Sequence, residues 1–282
     1  MHDGLSGAPL IGHKQIEPLN SGKIALLDAD YLKYITTHRV FKASEGKQQF
    51  PDPEKFLRDQ LDSWFAAIED PIIFCFSGQS SNTFRYSVGF EKEYKGNRKG
   101  KVDAYDYDRK LQDMMFVLEY IQENYVTIMF PDLEADDIVS ALQDERTYII
   151  SKDKDLRQVP GWHYDIGTMK LIHIDPIQAT RNLCHQLITG DGTDNIPGIP
   201  GMGVKSADKV IAEIAPKDLY YHVMGLYMKK YGSRSKGVDA FCENFLLVKV
   251  RENRGEWFKA KYQDMFSIKE QVYQNLKERA GL

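Results

Sequence analysis

Between Leu133 and Leu156 the chain reads LEADDIVSALQDERTYIISKDKDL and holds two tight groups of carboxylates, Glu134, Asp136 and Asp137, then Asp153 and Asp155. Acids packed this closely repel one another unless a cation lies between them, and an all-oxygen donor set suits a hard divalent ion. Solvated surface charge would explain three acids in the first turn of one helix. It explains less well two groups joined by a buried strand. Further along, Gly190-Asp191-Gly192-Thr193-Asp194-Asn195 adds Asp191 and Asp194, and Asp28 closes the apolar run Ile24-Ala25-Leu26-Leu27. Together these make eight acids.

The elements that must position these acids can be read from periodicity. Ile24–Leu27, Ile72–Phe76, Val126–Phe130 and Thr147–Ser151 are short apolar runs rich in β-formers and read as buried strands. Between them, Phe56, Leu57, Leu61, Trp64, Phe65 and Ile68 fall at helical spacing over 53–69, as do Leu111, Met114, Met115, Leu118 and Ile121 from Asp108. Ile138, Val139 and Leu142 mark a shorter helix whose positive dipole end would lie among Glu134, Asp136 and Asp137. Strands alternating with helices predict a mainly parallel α/β sheet flanked by helices. Open sheets of this kind place ligands beyond the carboxyl ends of their strands, where Asp28, Asp153 and Asp155 would fall.

Past Trp162 the pattern changes. Residues 162–174 alternate as a hairpin, 176–189 and 207–214 read as helices, and so do 219–231 and 241–250, with 232–237 as a mobile basic loop. Gly201 and Gly203 would permit positive φ and leave free N–H groups at a helix start for a phosphate. The run is not a nucleotide-binding P-loop, because Val204 separates Gly203 from Lys205 and no strand leads in.

Composition sets the outer limits. The 282 residues are 42% hydrophobic and 12% aromatic, ample for a packed core. Cys75, Cys184 and Cys242 are far apart, which argues against disulfides and zinc and for a reducing compartment. No secretory signal and no run long enough to span a bilayer is visible, so a soluble, cytoplasmic protein without a membrane partner is expected. The net charge of −4 becomes positive once the eight acids are set aside, and Lys92, Lys95, Arg98, Lys99 and Lys101 form a basic strip. A basic strip beside an acidic metal pocket suits a polyanion whose backbone is to be cut.

These motifs, in their order, resemble the 5′ nuclease family of flap endonucleases and 5′–3′ exonucleases, in its stand-alone phage and bacterial form. The resemblance rests on Asp28, Thr83-Phe84-Arg85, Glu93-Tyr94-Lys95-Gly96-Asn97-Arg98, Glu134-Ala135-Asp136-Asp137, Ser151-Lys152-Asp153-Lys154-Asp155 and Gly190–Asn195 with the glycine turn that follows. It implies a PIN-like core over 23–188 after a loose tail at 1–22, with a helical arch at about 84–105. Residues 189–282 would form a helix–hairpin–helix and C-terminal helices packed on the core. Asp28, Glu134, Asp136 and Asp137 would hold one Mg²⁺, and Asp153, Asp155, Asp191 and Asp194 a second, with Mn²⁺ as a substitute. Two such ions about 4 Å apart activate a water and stabilise the leaving oxygen of an in-line displacement. Lys95 and Arg98, three apart on a helix, would face the scissile phosphate, and Tyr94 would stack near the displaced nucleotide. Arg85, Lys99, Gly198, Gly201, Gly203, Lys205, Ser206 and Lys209 would contact DNA, with K⁺ at the helix–hairpin–helix.

The implied substrates are DNA with a 5′ flap, nick or end, and RNA–DNA hybrids such as primers. The protein would be a monomer working among replication proteins. Alternatives from other classes are a DNA-structure-binding protein with weakened catalysis and a PIN-like RNase. One departure motivates the first of these. Where the family has Phe-Asp at the end of its second strand, this chain has Phe76-Ser77. Asp30 either replaces the lost carboxylate, facing the same way as Asp28 on a continuing strand, or caps the following helix.

Overall fold

The computed structural model describes residues 19–31, 53–78, 82–89, 91–98, 107–165, 168–250 and 255–281. The tail at 1–18, Lys99 and the arch positions 99–106 fall outside the described residues. Six strands form one sheet in the order β3-β2-β1-β4-β5-β6. They are β1 Ile24–Asp28, β2 Ile72–Ser77, β3 Thr127–Phe130, β4 Thr147–Ile150, β5 Gly161–Asp165 and β6 Lys170–Ile174. Every neighbouring pair is parallel except the β5–β6 hairpin. The fold is therefore a mostly parallel α/β sheet flanked by helices, as the alternating pattern predicts.

Successive strand residues face opposite sides of the sheet, and both sides are buried. Ile24, Leu26, Ile73, Cys75 and Ile149 pack against α3 (Ala135–Leu142) through Ile138, Val139 and Leu142. The same layer takes in Phe258 of α8 (Glu256–Lys261) and Met265 and Val272 of α9 (Gln263–Ala280). Ala25, Leu27, Phe74, Phe76, Tyr148 and Ile150 face the other way. They meet Leu57 and Leu61 of α1 (Pro53–Phe65) and Val117, Tyr120 and Ile121 of α2 (Tyr107–Asn124).

A second body of helices has its own core. It comprises α4 (Pro176–Thr189), α5 (Val204–Glu213), α6 (Leu219–Tyr231) and α7 (Arg234–Val248), joined through Leu183, Leu187, Ile199, Ala207, Val223, Tyr227 and Leu247. Here two expectations fail. The stretch 232–237 is not a loop: Gly232 is a left-handed helix end, the Ser233 side chain caps the next helix, and α7 starts at Arg234. Gly237 is needed for packing, since a Cβ there would lie 2.3 Å from the Met228 Cα. Likewise α5 begins at Val204, because the Gly203 carbonyl accepts from the N–H groups of Ser206 and Ala207.

Candidate active site

The parallel strands end at one edge of the sheet, and a cleft of about 400 Å³ opens there. It is lined by Asp28 from the end of β1, Glu134 and Asp136 from the start of α3, and Asp153 and Asp155 from the turn after β4. Asp191 and Asp194 join them from the turn between α4 and α5. Seven of the eight acids thus converge from four separate segments. Glu134 and Asp136 each bring a carboxylate oxygen within 4.8 Å of the other and of Asp137. Asp30, Ser77, Tyr94, Lys95 and Ser151 complete the walls.

The two halves of the cleft are held differently. Around Glu134 and Asp137 the charge is balanced inside the protein. Arg85 is 1% exposed, and its two terminal nitrogens donate to the two oxygens of Asp137, both at 2.9 Å. It also donates to Glu134, and to the carbonyls of Leu247 at 3.1 Å and Lys249 at 3.2 Å. Lys95 places its ammonium 2.7 Å from Glu134 Oε1 and 3.8 Å from Asp194 Oδ2. Burial opposes ionisation of Glu134, but Arg85 and Lys95 outweigh it and hold that carboxyl below its usual range. Burial raises Asp136 well above the carboxylate range despite Arg85, with Asp137 and Glu134 adding repulsion. Asp28 is pushed up to about 7, first by burial and then by Asp30.

Around Asp153 and Asp155 the support is local backbone together with the Gln186 amide, which donates to Asp155. Asp153 caps its own short 3₁₀ turn, Lys154–Gln158, by accepting from the Asp155 N–H at 2.8 Å. Asp191 accepts from the Thr193 N–H at 2.7 Å, and Lys154 lies 3.5 Å from it while remaining solvated. Burial and Asp153 push Asp155 up to about 7, and burial raises Asp153 as well. Ser151 joins the halves: its hydroxyl donates to Asp28 Oδ2 at 3.0 Å and accepts from the Asp153 N–H at 2.9 Å. Seven converging carboxyls, of which Asp28, Asp136, Asp153 and Asp155 are reluctant to ionise, fit hard divalent cations, whose charge would release those protons.

Several candidates lie elsewhere than expected. Asp137 is 0% exposed and turned to Arg85 rather than lining the cleft. Arg85, expected on DNA, is enclosed by acids and carbonyls and presents no surface to a ligand. Tyr94 is 4% exposed, stands edge-on to Tyr86, and donates to Asp194 Oδ2 at 3.0 Å, so its ring is packed inside rather than offered to a base. Lys95 and Arg98 do not share a helix. Lys95 has φ 56°, its N–H bonds the Asp194 carbonyl at 2.9 Å, and only Gly96–Arg98 form a 3₁₀ turn. Asn97 and Asn195 dock this turn on the Asp191–Asp194 turn by donating to the carbonyls of Gly192 and Glu93.

Among the glycines, Gly198 has φ 63° and a Cβ would sit 2.3 Å from the Gly190 nitrogen, while Gly201 has φ 82°. Gly203 has φ −101° and open space around it, so neither strain nor crowding demands glycine there. Lys205, Ser206 and Lys209 are exposed on α5. Sequence reasoning missed Ser151 as a link, although it sits inside the quoted Ser-Lys-Asp motif. It also missed Gln186, which donates to Asp155 from the last turn of α4 with no signal in the sequence.

No protein-family model matches the chain. A 5′–3′ exonuclease of Buchnera aphidicola subsp. Acyrthosiphon pisum is 33% identical over 143 residues, 45% of this chain and 48% of that protein. An exodeoxyribonuclease of Enterobacteria phage T3 is 29% identical over 180 residues, 59% of this chain and 54% of that protein. The chain thus spans about half the length of these relatives. The bacteriophage T5 flap endonuclease, solved as a pseudo-enzyme–product complex with DNA and metal ions, superposes with a TM-score of 0.58. That match covers 92% of this chain and 99% of the other at 18% identity, a likeness of fold.

The chain is thus similar in sequence to 5′–3′ exonucleases and in fold to the T5 flap endonuclease. The neutral Ser77 lines the cleft, and the Arg85–Asp137 pair lies enclosed behind it. No described helix is long and apolar enough to cross a membrane.

Proposed function

We propose that the protein is a divalent-metal-dependent 5′ nuclease that hydrolyses phosphodiester bonds at 5′ ends or flaps of DNA. The observation that carries this reading is the convergence of seven acids, from segments up to 166 positions apart, on one cleft beside Lys95. Asp28, Glu134 and Asp136 would hold one ion, and Asp153, Asp155, Asp191 and Asp194 a second. Bound there, Mg²⁺ or Mn²⁺ would supply a nucleophilic water at neutral pH and offset charge on the leaving oxygen.

The chain's own residues do the rest. Ser151 keeps Asp28 and Asp153 in register across the cleft. Lys95 is fixed by its backbone bond to Asp194, so its ammonium can leave Glu134 for a phosphoryl oxygen without moving its Cα. Burial disfavours its charge, but Glu134 and Asp194 raise its pKa, so it stays a cation and meets negative charge as that charge grows. Arg98 is proposed as its companion. Exposed Lys205, Ser206 and Lys209, at the start of a helix after the Gly198–Gly203 turn, suit a sequence-independent grip on duplex phosphates. A K⁺ ion at this element, a monomeric state, action on RNA–DNA hybrids and work beside replication proteins belong to the same proposal.

The test is cleavage of 5′-labelled flap, nicked duplex and RNA–DNA hybrid with and without Mg²⁺. Release of short 5′ products only with metal supports the reading. Metal-independent cleavage, or binding with no product, contradicts it.

A further inference from the structure

The corner of the cleft between β1 and β2 has an unusual composition. β2 ends there with Ser77, and its hydroxyl is already engaged, accepting from the Ala135 N–H at 2.8 Å as α3 begins. The next position offers no room for an acid, since a Cβ on Gly78 would lie 2.1 Å from the Phe130 carbonyl oxygen. β2 therefore brings no carboxylate to the cleft. The neighbouring corner is filled from β1. Asp30 lines the cleft, and its Oδ1 accepts from the Ser77 N–H at 3.1 Å. Asp28 accepts from the Asp30 backbone N–H, while the Asp30 side chain turns across to β2. Asp28 and Asp30 are also close enough for each charge to act on the other.

We infer that Asp30 is a working part of the first metal site, supplying from β1 the negative charge that the end of β2 lacks. The inference rests on the metal-site reading above. A hard cation held by Asp28, Glu134 and Asp136 gains from each further carboxylate, bound to the ion or to its waters, because affinity follows the ligand charge count. The Ser77 N–H fixes one Asp30 oxygen, which lowers the entropy cost of orienting the group. The bland alternative is that Asp30 merely ties β1 to β2.

The test is calorimetric Mn²⁺ binding, with melting in EDTA as a check on folding. Asp30→Asn keeps the oxygen that accepts from Ser77 and removes only charge. It should weaken one class of Mn²⁺ site about tenfold while its EDTA melting temperature stays at or above the wild-type value. Adding Ser77→Asp to Asp30→Asn should recover most of that affinity, since it returns a carboxylate to the same corner. Asp28→Asn separates the two levels of the argument. If Asp28→Asn weakens binding and Asp30→Asn does not, Asp30 is only a strand tie and the metal site stands. If neither weakens it, the metal site itself is wrong. Should Asp30→Asn fail to fold, crystals of the wild-type protein with Mn²⁺ decide. A contact from Asp30 to the ion or to one of its waters is expected, and an ion with no such contact overturns the proposal.

Discussion

The acids in and just behind the cleft fall into two groups that the protein treats in different ways. Glu134 and Asp137 are neutralised within the fold by Arg85 and Lys95, and Arg85 is further tied to the carbonyls of Leu247 and Lys249 at the end of α7. Asp153, Asp155 and Asp191 have turns, backbone N–H groups, the Gln186 amide and the solvated Lys154, while Asp194 shares Lys95 and Tyr94 with the first group. The first group is thus part of the protein's structure whether or not a metal is present. The second is a set of mutually repelling carboxyls with little internal cationic balance, Lys95 reaching only Asp194 and the solvated Lys154 only Asp191. One group should fail structurally when broken, and the other should fail only in function.

The largest effect is expected in the second group. Asp155→Asn should lower single-turnover flap cleavage by more than about a hundredfold with DNA binding nearly intact. In EDTA the same variant should melt higher than wild type, by roughly 2–4 °C, because it removes a carboxyl that burial and Asp153 make reluctant to ionise. A lower melting temperature would show that this group, too, is a structural element. In the first group, Arg85→Met leaves Asp137 buried without its partner and should cost about 3–5 kcal/mol of stability, with and without metal alike. Denaturant unfolding of the two forms checks this, and a loss confined to the metal-loaded form would erase the contrast.

That contrast was only half legible in the chain. The eight acids stand out by type and spacing, and the strands that gather them follow from short β-rich runs between helical stripes. Arg85 was visible only as a cation near an arch, because nothing local says that a side chain will cross 162 positions to the end of α7. Tyr94 and Lys95 misled for a related reason. Their motif suggests a helix, yet the docking of 93–97 on the Asp191–Asp194 turn sets Lys95 to φ 56°. Ser233 and Gly237 carry the composition of a loop, although one caps α7 and the other lets α6 and α7 approach. Caps and close contacts depend on what packs opposite, which periodicity does not report.

A smaller effect sharpens the comparison through pH. Asp28 and Asp155 each stand near 7, above the usual value of 3.8. Without metal, the folded form holds these protons more tightly than the unfolded chain does. Their favourable contribution is present at low pH and is lost as pH rises through 7, so the metal-free melting temperature should fall over that window. Metal must displace the same protons, so Mn²⁺ affinity should rise with pH up to about 7 and level off above it. A pH-independent affinity between pH 6 and 8 would mean that these carboxyls do not meet the ion.

The smallest effects belong to the turn between α4 and α5. Gly203→Val should fold normally, given φ −101° and open space, but weaken duplex binding and reduce its salt slope by about one phosphate contact. Gly198→Ala should instead destabilise the fold, because φ is 63° and the Gly190 nitrogen is 2.3 Å from the new Cβ. Equilibrium binding in Ca²⁺ across a KCl series, together with thermal melts, separates the two. If Gly203→Val keeps both affinity and slope, duplex binding lies elsewhere on the surface.

The central claim, that the two acid groups each hold their own ion in one cleft, is tested most directly by Mn²⁺ stoichiometry. Calorimetric titration at pH 8 should give two ions for the wild-type protein. It should give one for Asp28→Asn and one for Asp153→Asn, each variant retaining the ion of the intact group. Two ions in both variants, or a single ion in the wild type that either substitution abolishes, would contradict the division of the cleft.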